Sequence, residues 1–149
     1  MDVKIKKKLK TTSSCQFNFH WCIFTKNKLL ANTFHKSERL CSKKQIDLLF
    51  KEGKSKNAFP IKLIQLLQPD QETDIKAMFV VPKKKFKHAN DRNKLKRRMR
   101  EAYRLQKIQF YTQFEGKQLQ VSLAFIYTGS TAEPYDTIYK SMHKLLTLK

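Results

Sequence analysis

The side chains that could do chemistry in this chain are basic, and they are concentrated between Pro82 and Lys107. This stretch contains twelve Lys and Arg but only two acids, Asp91 and Glu101, so it carries about half of the formal net charge of +20. A charge density of this kind favours a polyanionic partner, such as nucleic acid or an anionic membrane surface.

The same stretch has helix periodicity. At 100° per residue, four apolar or small residues fall in one stripe, which predicts an amphipathic helix docked on a core: Leu95, Met99, Ala102 and Tyr103. Asp91 is the expected N-cap. A neighbouring face gathers the polar and basic side chains Asn93, Lys96, Arg97, Arg100, Arg104 and Lys107. A merely solvated helix face is the alternative, but such faces usually mix charge signs to limit self-repulsion.

Composition restricts the class of protein. A chain of 149 residues with 40% hydrophobic content fits one domain with a real core, and no apolar run approaches the length of a spanning helix. The three cysteines, Cys15, Cys22 and Cys41, have no paired spacing, so we expect neither a disulfide framework nor a zinc site. No secretory signal pattern is recognised, and a reduced, cytoplasmic protein without membrane attachment is the expectation.

The acidic residues do not predict a stand-alone nuclease. Metal-dependent cleavage of a phosphodiester by protein groups needs clustered carboxylates or histidines. Only Asp70, Glu72 and Asp74 cluster, and they fall where a hairpin turn is predicted, a common place for solvated acids. We therefore expect no catalytic residue and no protein-held metal ion.

The pattern along the chain predicts its organisation. Residues 1–35 combine a lysine run, a Thr/Ser patch and an aromatic cluster without a sustained period, which indicates a basic and poorly ordered extension. The domain is expected over residues 36–149. It begins with a short helix from Ser42 to Lys51, which Gly53 would stop.

Alternation of apolar residues predicts the strands. Residues 59–67 and 75–81 alternate on either side of a polar turn, which favours two antiparallel strands. Residues 119–127 form the clearest strand, after a break near Glu115 and Gly116. Ser130 and Glu133 could form a capping box before a last amphipathic helix. The order helix, strand, strand, helix, strand, helix predicts an α+β fold, a small two-layer sandwich with helices against one sheet.

The run from Arg92 to Glu101 resembles the RNR motif of the bacterial ribonuclease P protein family, R-N-x-x-K-R-x-x-R. The motif positions are occupied by Arg92, Asn93, Lys96, Arg97 and Arg100. Flanking features also match the family, namely Lys84, Lys85 and Ala89 before the motif, Tyr103 and Arg104 after it, and an opening segment formed by Arg39, Leu40, Phe50 and Gly53. Asn90 replaces the usual branched apolar residue, and Ile46 stands where an aromatic is often found.

The resemblance implies a fold with a left-handed β-α-β crossover, an exception to the general rule. It also implies that the chain is the protein subunit of an endoribonuclease, in which it assists a catalytic RNA in removing the 5′ leader from precursor tRNA. The Mg²⁺ ions would be held mainly by the RNA. The expected partners are the catalytic RNA and precursor tRNA, with no obligate protein partner. The RNA-binding side chains would be Lys84, Lys85, Arg92, Asn93, Lys96, Arg97, Arg100 and Arg104. For Asn93, fixing the start of the helix is an equal alternative to contacting RNA.

The resemblance further implies a cleft between the first helix and the sheet for the single-stranded leader. Ile46 and Phe50 would form an apolar platform for bases there, although their spacing alone favours core packing. Lys62 would point to the sheet face opposite Ile61 and Leu63, and whether that face is the cleft stays open.

Three other classes of protein compete with this interpretation. A ribosomal or other structural RNA-binding protein would share the small α+β domain and the basic helix but would lack the ordered set of motifs. A DNA-binding module would need uncharged base-reading side chains on the helix, and few are present. A membrane-surface protein would expose its apolar stripe, which the sheet explains better here.

Overall fold

The computed structural model describes residues 33–70, 73–114 and 117–147. Its elements are three helices, four strands and one 3₁₀ turn, in the order α1 (Lys43–Glu52), β1 (Lys54–Ala58), β2 (Ile61–Pro69), β3 (Asp74–Val80), α2 (Ala89–Tyr111), the 3₁₀ turn (Thr112–Phe114), β4 (Leu119–Tyr127) and α3 (Tyr135–Leu146). The predicted extension lies outside the described residues except for positions 33–35. Glu72, Glu115 and Gly116 also lie outside them.

The four strands form one mixed sheet in the spatial order β1-β2-β4-β3. Strand β4 pairs antiparallel with β2 and parallel with β3. The predicted pairing of the two central strands as a hairpin is therefore wrong, because β4 lies between them. Strands β3 and β4 are joined through α2 as a parallel β-α-β crossover, and its left-handed sense stays an expectation from the resemblance.

Side chains alternate between the two faces of the sheet, and each face has its own core. On one face, α2 and α3 cover Ile61, Leu63, Ile75, Ala77, Val121, Leu123, Phe125 and Tyr127. On the other face, a smaller cluster contains Leu40, Leu49, Ile64 and Ala124, to which α1 contributes Leu49. The predicted α+β class is confirmed, and the sheet with α2 and α3 forms the two-layer sandwich. Helix α1 adds a partial cover on the opposite face.

Helix α1 ends as predicted at Gly53, but not through a left-handed residue. The Gly53 N–H donates to the carbonyl of Leu49, and the backbone is extended there. A Cβ at this position would lie 2.3 Å from that carbonyl oxygen and 2.5 Å from a methyl carbon of Ile64. Glycine is therefore required because the chain passes too close to its own helix and to β2.

Two predicted caps are wrong. Helix α2 begins at Ala89 with His88 as N-cap, which places Asp91 inside the first turn, where its charge still suits the helix dipole. Helix α3 begins at Tyr135 after Pro134, and the Glu133 carboxylate accepts a hydrogen bond from Thr131 rather than from a capping box with Ser130.

The predicted stripe of α2 is confirmed, because its four members are fully buried: Leu95, Met99, Ala102 and Tyr103. Lys107 also lies on this buried side, contrary to its predicted place on the basic face. Its ammonium donates to both carboxylate oxygens of Glu38 at 2.6 and 2.8 Å and to the Thr33 carbonyl at 2.6 Å. Lys107 follows Tyr103 by one turn, so the helix directs both side chains towards the segment before α1.

That segment adds to the edge of the sheet. The N–H of Leu40 donates to the carbonyl of Ala77 at 3.1 Å, and the Ala77 N–H donates to the Glu38 carbonyl at 2.8 Å. Phe34 packs edge-on against Tyr103, with ring centroids 5.8 Å apart. The motif residues Arg39 and Leu40 therefore cover the open edge of β3.

Candidate nucleic-acid interface

The outward face of α2 presents a row of polar and cationic side chains on a rigid support. Asn93, Arg97 and Arg100 are exposed on the side of the helix opposite its buried stripe, and Lys96 is half-buried on one flank. Within the described residues, Lys96, Arg97 and Arg100 have no hydrogen-bond or ion-pair partner. Their donors can therefore bind an external anion without first breaking an internal contact.

Asn93 does not fix the start of the helix. Helix α2 begins four residues earlier, and the Asn93 side chain is exposed in its second turn. This overturns the alternative in which Asn93 acts as a local cap, and it leaves the amide available on the same side as Arg97 and Arg100.

The loop before α2 is fastened by cations that were predicted to bind RNA. One terminal nitrogen of Arg92 donates to the carbonyls of Phe86 and Lys87, at 2.8 and 2.6 Å. The ammonium of Lys85 donates to the Thr128 carbonyl at the end of β4. Lys84 is exposed on the same loop. Arg92 and Lys85 thus hold the loop against the domain, while Lys84 projects from it.

Arg104 makes an intrahelical ion pair. Its guanidinium donates to both carboxylate oxygens of Glu101, at 3.0 and 2.6 Å. These hydrogen bonds lower the pKa of the Glu101 carboxyl, and the same contact raises that of Arg104. The pair is largely solvated, so it adds little stability but reduces the local positive charge at this end of the row.

A shallow depression near the start of α2 contains residues that the sequence prediction missed. Its volume is about 520 Å³, and it is lined by Asn90, Asp91, Asn93, Lys94, Arg97 and Arg98. Arg98 also donates to the Glu133 carbonyl at 2.8 Å, which ties α2 to the start of α3. Lys94 and Arg98 lie within the basic run, so their charge was visible in the sequence, but their shared surface with Asn93 and Arg97 was not.

The residues expected to form the leader cleft lie on one side of the sheet. Ile46 is partly buried against the small core cluster, whereas Phe50 is 48% exposed. Lys62 alternates with Ile61 and Leu63 in β2 and therefore lies on the face that α1 covers. Ile46 therefore packs in part against the core, as its spacing favoured, whereas Phe50 is not a core residue.

The acids do not assemble a metal site among the described residues. No group of three or more His, Cys, Asp or Glu that could hold a metal ion occurs there. Asp74 forms an ion pair with Lys76 at 2.7 Å, and the segment around Asp70 and Asp74 connects non-neighbouring strands rather than forming a hairpin turn. In the same parts of the chain, no helix is long and apolar enough to cross a membrane.

Comparison with known proteins identifies the family of this chain. The ribonuclease P family model matches residues 34–148. The chain is 33% identical over 112 residues to the ribonuclease P protein component of Porphyromonas gingivalis, covering 74% of this chain and 82% of the relative. The corresponding component of Chlorobium phaeobacteroides is 31% identical over 129 residues, covering 79% and 88% of the two chains.

Solved structures agree with the fold. The ribonuclease P protein of Thermotoga maritima superposes with a TM-score of 0.57 and 25% identity, covering 73% of this chain and 94% of that one. The Staphylococcus aureus protein superposes with a TM-score of 0.54 at 17% identity, covering 74% and 94%.

A small α+β domain that presents a basic helix face has the features of a nucleic-acid-binding protein. The chain belongs to the ribonuclease P protein family. As a member of this family, the chain has an RNA-binding role in tRNA processing as part of a ribonuclease P holoenzyme.

Proposed function

We propose that this chain docks on the catalytic RNA of ribonuclease P through the outward face of α2 and binds the 5′ leader of precursor tRNA in a cleft between α1 and the sheet. The observation that carries the proposal is the row formed by Asn93, Arg97 and Arg100, with Lys96 on its flank, on a helix whose other side is fully buried. A planar guanidinium can bind two phosphate oxygens at once, and the fixed helix sets the spacing between the two arginines.

The seven cations and one amide that we expect to bind RNA then differ in how directly they contact it. Lys84, Lys96, Arg97, Arg100 and Asn93 contact RNA directly. Arg92 and Lys85 hold the preceding loop in place with some of their donors, and each retains further N–H groups for a phosphate. Arg104 extends the row while its pair with Glu101 orients it.

The leader cleft is supported by the position of Phe50. An aromatic ring that is 48% exposed on α1, beside a half-buried Ile46, offers a face on which an unstacked base can stack. Lys62 lies on the same side of the sheet and supplies a cation for the leader backbone. Stacking tolerates any base, so the cleft would accept leaders of different sequence.

In this proposal the RNA performs the endonucleolytic chemistry and holds the Mg²⁺ ions. The described residues offer no carboxylate cluster that fits Mg²⁺, which prefers oxygen ligands in octahedral geometry. The protein contributes binding energy and neutralises phosphate repulsion between the two RNA molecules.

Reconstitution tests the activity. The purified chain is mixed with a bacterial ribonuclease P RNA and a precursor tRNA at low magnesium, and the RNA without the protein provides the baseline. Release of the 5′ leader should be stimulated, and absence of stimulation would favour a ribosomal-type RNA-binding role instead.

Substitution of Phe50 tests the cleft. Phe50→Leu retains an apolar side chain but removes the stacking face, so affinity for precursor tRNA should fall about tenfold, within the range of aromatic stacking energies. Leu67→Ala is the matched control, because Leu67 is 47% exposed at the far end of β2. An equal loss of affinity for mature tRNA, which has no leader, would show that Phe50 does not act through the leader.

A further inference from the structure

A second basic and aromatic surface lies at the edge strand β1, on the opposite side of that strand from the cleft. It is a depression of about 570 Å³ lined by Lys56, Asn57, Ala58, Phe59, Lys144 and Leu145. None of these residues is acidic, and the depression combines two ammonium groups with one aromatic ring.

Phe59 is the most exposed large apolar side chain among the described residues, at 67%. Its exposure is not a consequence of a loose loop. The Phe59 carbonyl accepts a hydrogen bond from the Ser141 hydroxyl, and the next carbonyl, that of Pro60, accepts from the Thr128 N–H at 2.8 Å and from its hydroxyl at 3.0 Å. The turn between β1 and β2 is therefore held on both sides while the ring projects into solvent.

The flanking cations come from two different elements. Lys56 belongs to β1, and Lys144 lies in the last turn of α3, so the sheet and the helix each contribute one lysine to the depression. An exposed aromatic ring that shares a depression with two cations matches a single-stranded nucleic acid, in which one base stacks while the adjacent phosphates are neutralised.

This surface is continuous with the proposed cleft. Asn57, which lines the depression, is the direct cross-strand partner of Lys62. Neighbouring strands lie about 5 Å apart, so the backbone of Lys62 and the backbone of Asn57 are separated by one strand spacing. Because β1 is the outermost strand, a chain passing Lys62 can turn around this edge without crossing the core.

We propose that the depression at Phe59 is a distal subsite for the leader, in which a nucleotide beyond the cleft stacks on Phe59 and its phosphates contact Lys56 and Lys144. This inference rests on the proposed leader cleft. It adds a dependence on leader length, because a short leader ends before it reaches the edge of β1.

The test uses the holoenzyme with two precursor tRNAs, one with a leader of about four nucleotides and one of about twelve, which lie at the lower end and in the upper part of the range of about 4–16 nucleotides for single-strand sites. Phe59→Ala should weaken binding of the long-leader precursor about tenfold and leave the short-leader precursor unchanged. The double variant Lys56→Gln, Lys144→Gln should show the same selectivity and a smaller salt dependence for the long leader. Leu67→Ala is the control for loss of an exposed apolar side chain.

Three outcomes decide the proposal. Selective loss with the long leader supports it, provided that Phe50→Leu weakens both precursors. Equal loss for both leader lengths overturns it, because the site then acts through the catalytic RNA or through the fold. No loss for Phe59→Ala, together with a loss for Phe50→Leu, overturns the distal subsite and leaves the cleft intact, whereas no effect of Phe50→Leu refutes the cleft itself.

Discussion

The salt dependence of RNA binding gives the most direct test of the docking face. The perturbation is the double substitution Arg97→Gln, Arg100→Gln, which removes two of the four cations on α2 that have no partner within the described residues. Both side chains are exposed, so the substitutions remove charge without disturbing the buried stripe. The thermal midpoint of the free protein should stay unchanged.

The expected magnitude follows from counterion release. Each phosphate that a cation neutralises contributes about −0.7 to −0.9 to the slope of log K against log salt concentration. Loss of two contacts should make the slope shallower by about 1.4 to 1.8. Between about 50 and 200 mM salt, the wild-type protein should then lose about tenfold more affinity than the variant.

The assay is a titration of the isolated catalytic RNA, without precursor tRNA, at four or more salt concentrations. A charge-matched control is Lys51→Gln, Lys117→Gln, which changes the net charge equally at two exposed sites away from α2. If the control pair flattens the slope as much as the arginine pair, the effect comes from overall charge, and the reasoning from the α2 face is refuted.

Two further predictions concern the fold that supports this face. Lys107→Met should destabilise the domain by about 3 kcal/mol in urea unfolding, because it leaves the Glu38 carboxylate without its cation. Adding Glu38→Gln in the same chain should restore part of this loss. A cost under about 1 kcal/mol would contradict a structural role for the ion pair. Burial raises the pKa of Tyr103 and of Tyr111 above the ordinary value of 10.0, so the unfolded chain ionises first and stability should fall as pH rises above that value. Tyr103→Phe should make this alkaline loss shallower in thermal melts from pH 8 to about 11, and an unchanged pH profile would mean that the ring is not protected from ionisation.

The helices and the strongest strand could be predicted because each carries its own period. The stripe of α2 repeats every three to four residues, and β4 alternates over its whole length, so local geometry alone decides these elements. Strand β1 escaped prediction because its sequence KSKNA has almost no apolar alternation. It is an edge strand, and polar side chains are typical of a strand whose outer edge is exposed to solvent.

Strand pairing and side-chain direction needed information that no local pattern contains. The insertion of β4 between β2 and β3 depends on a contact made after the chain has passed through α2. The burial of Lys107 depends on Glu38, far away in the sequence, and its own position on the helix wheel lies between the two faces. The exposure of Phe50 could not be predicted from its spacing, which favoured core packing, and its place in a leader cleft stays a prediction from the resemblance.

Helix α2 is uneven along its own length. Its 23 residues span about 34 Å at 1.5 Å per residue, and the outward cations end at Arg104. Beyond that point the outward side chains Leu105 and Ile108 are apolar and more than 40% exposed. The N-terminal end of the helix dipole adds to the positive charge of the first half. A polyanion lying along α2 is therefore attracted mainly to the part of the helix from its N-terminus to Arg104, and the last two turns offer it an apolar surface instead.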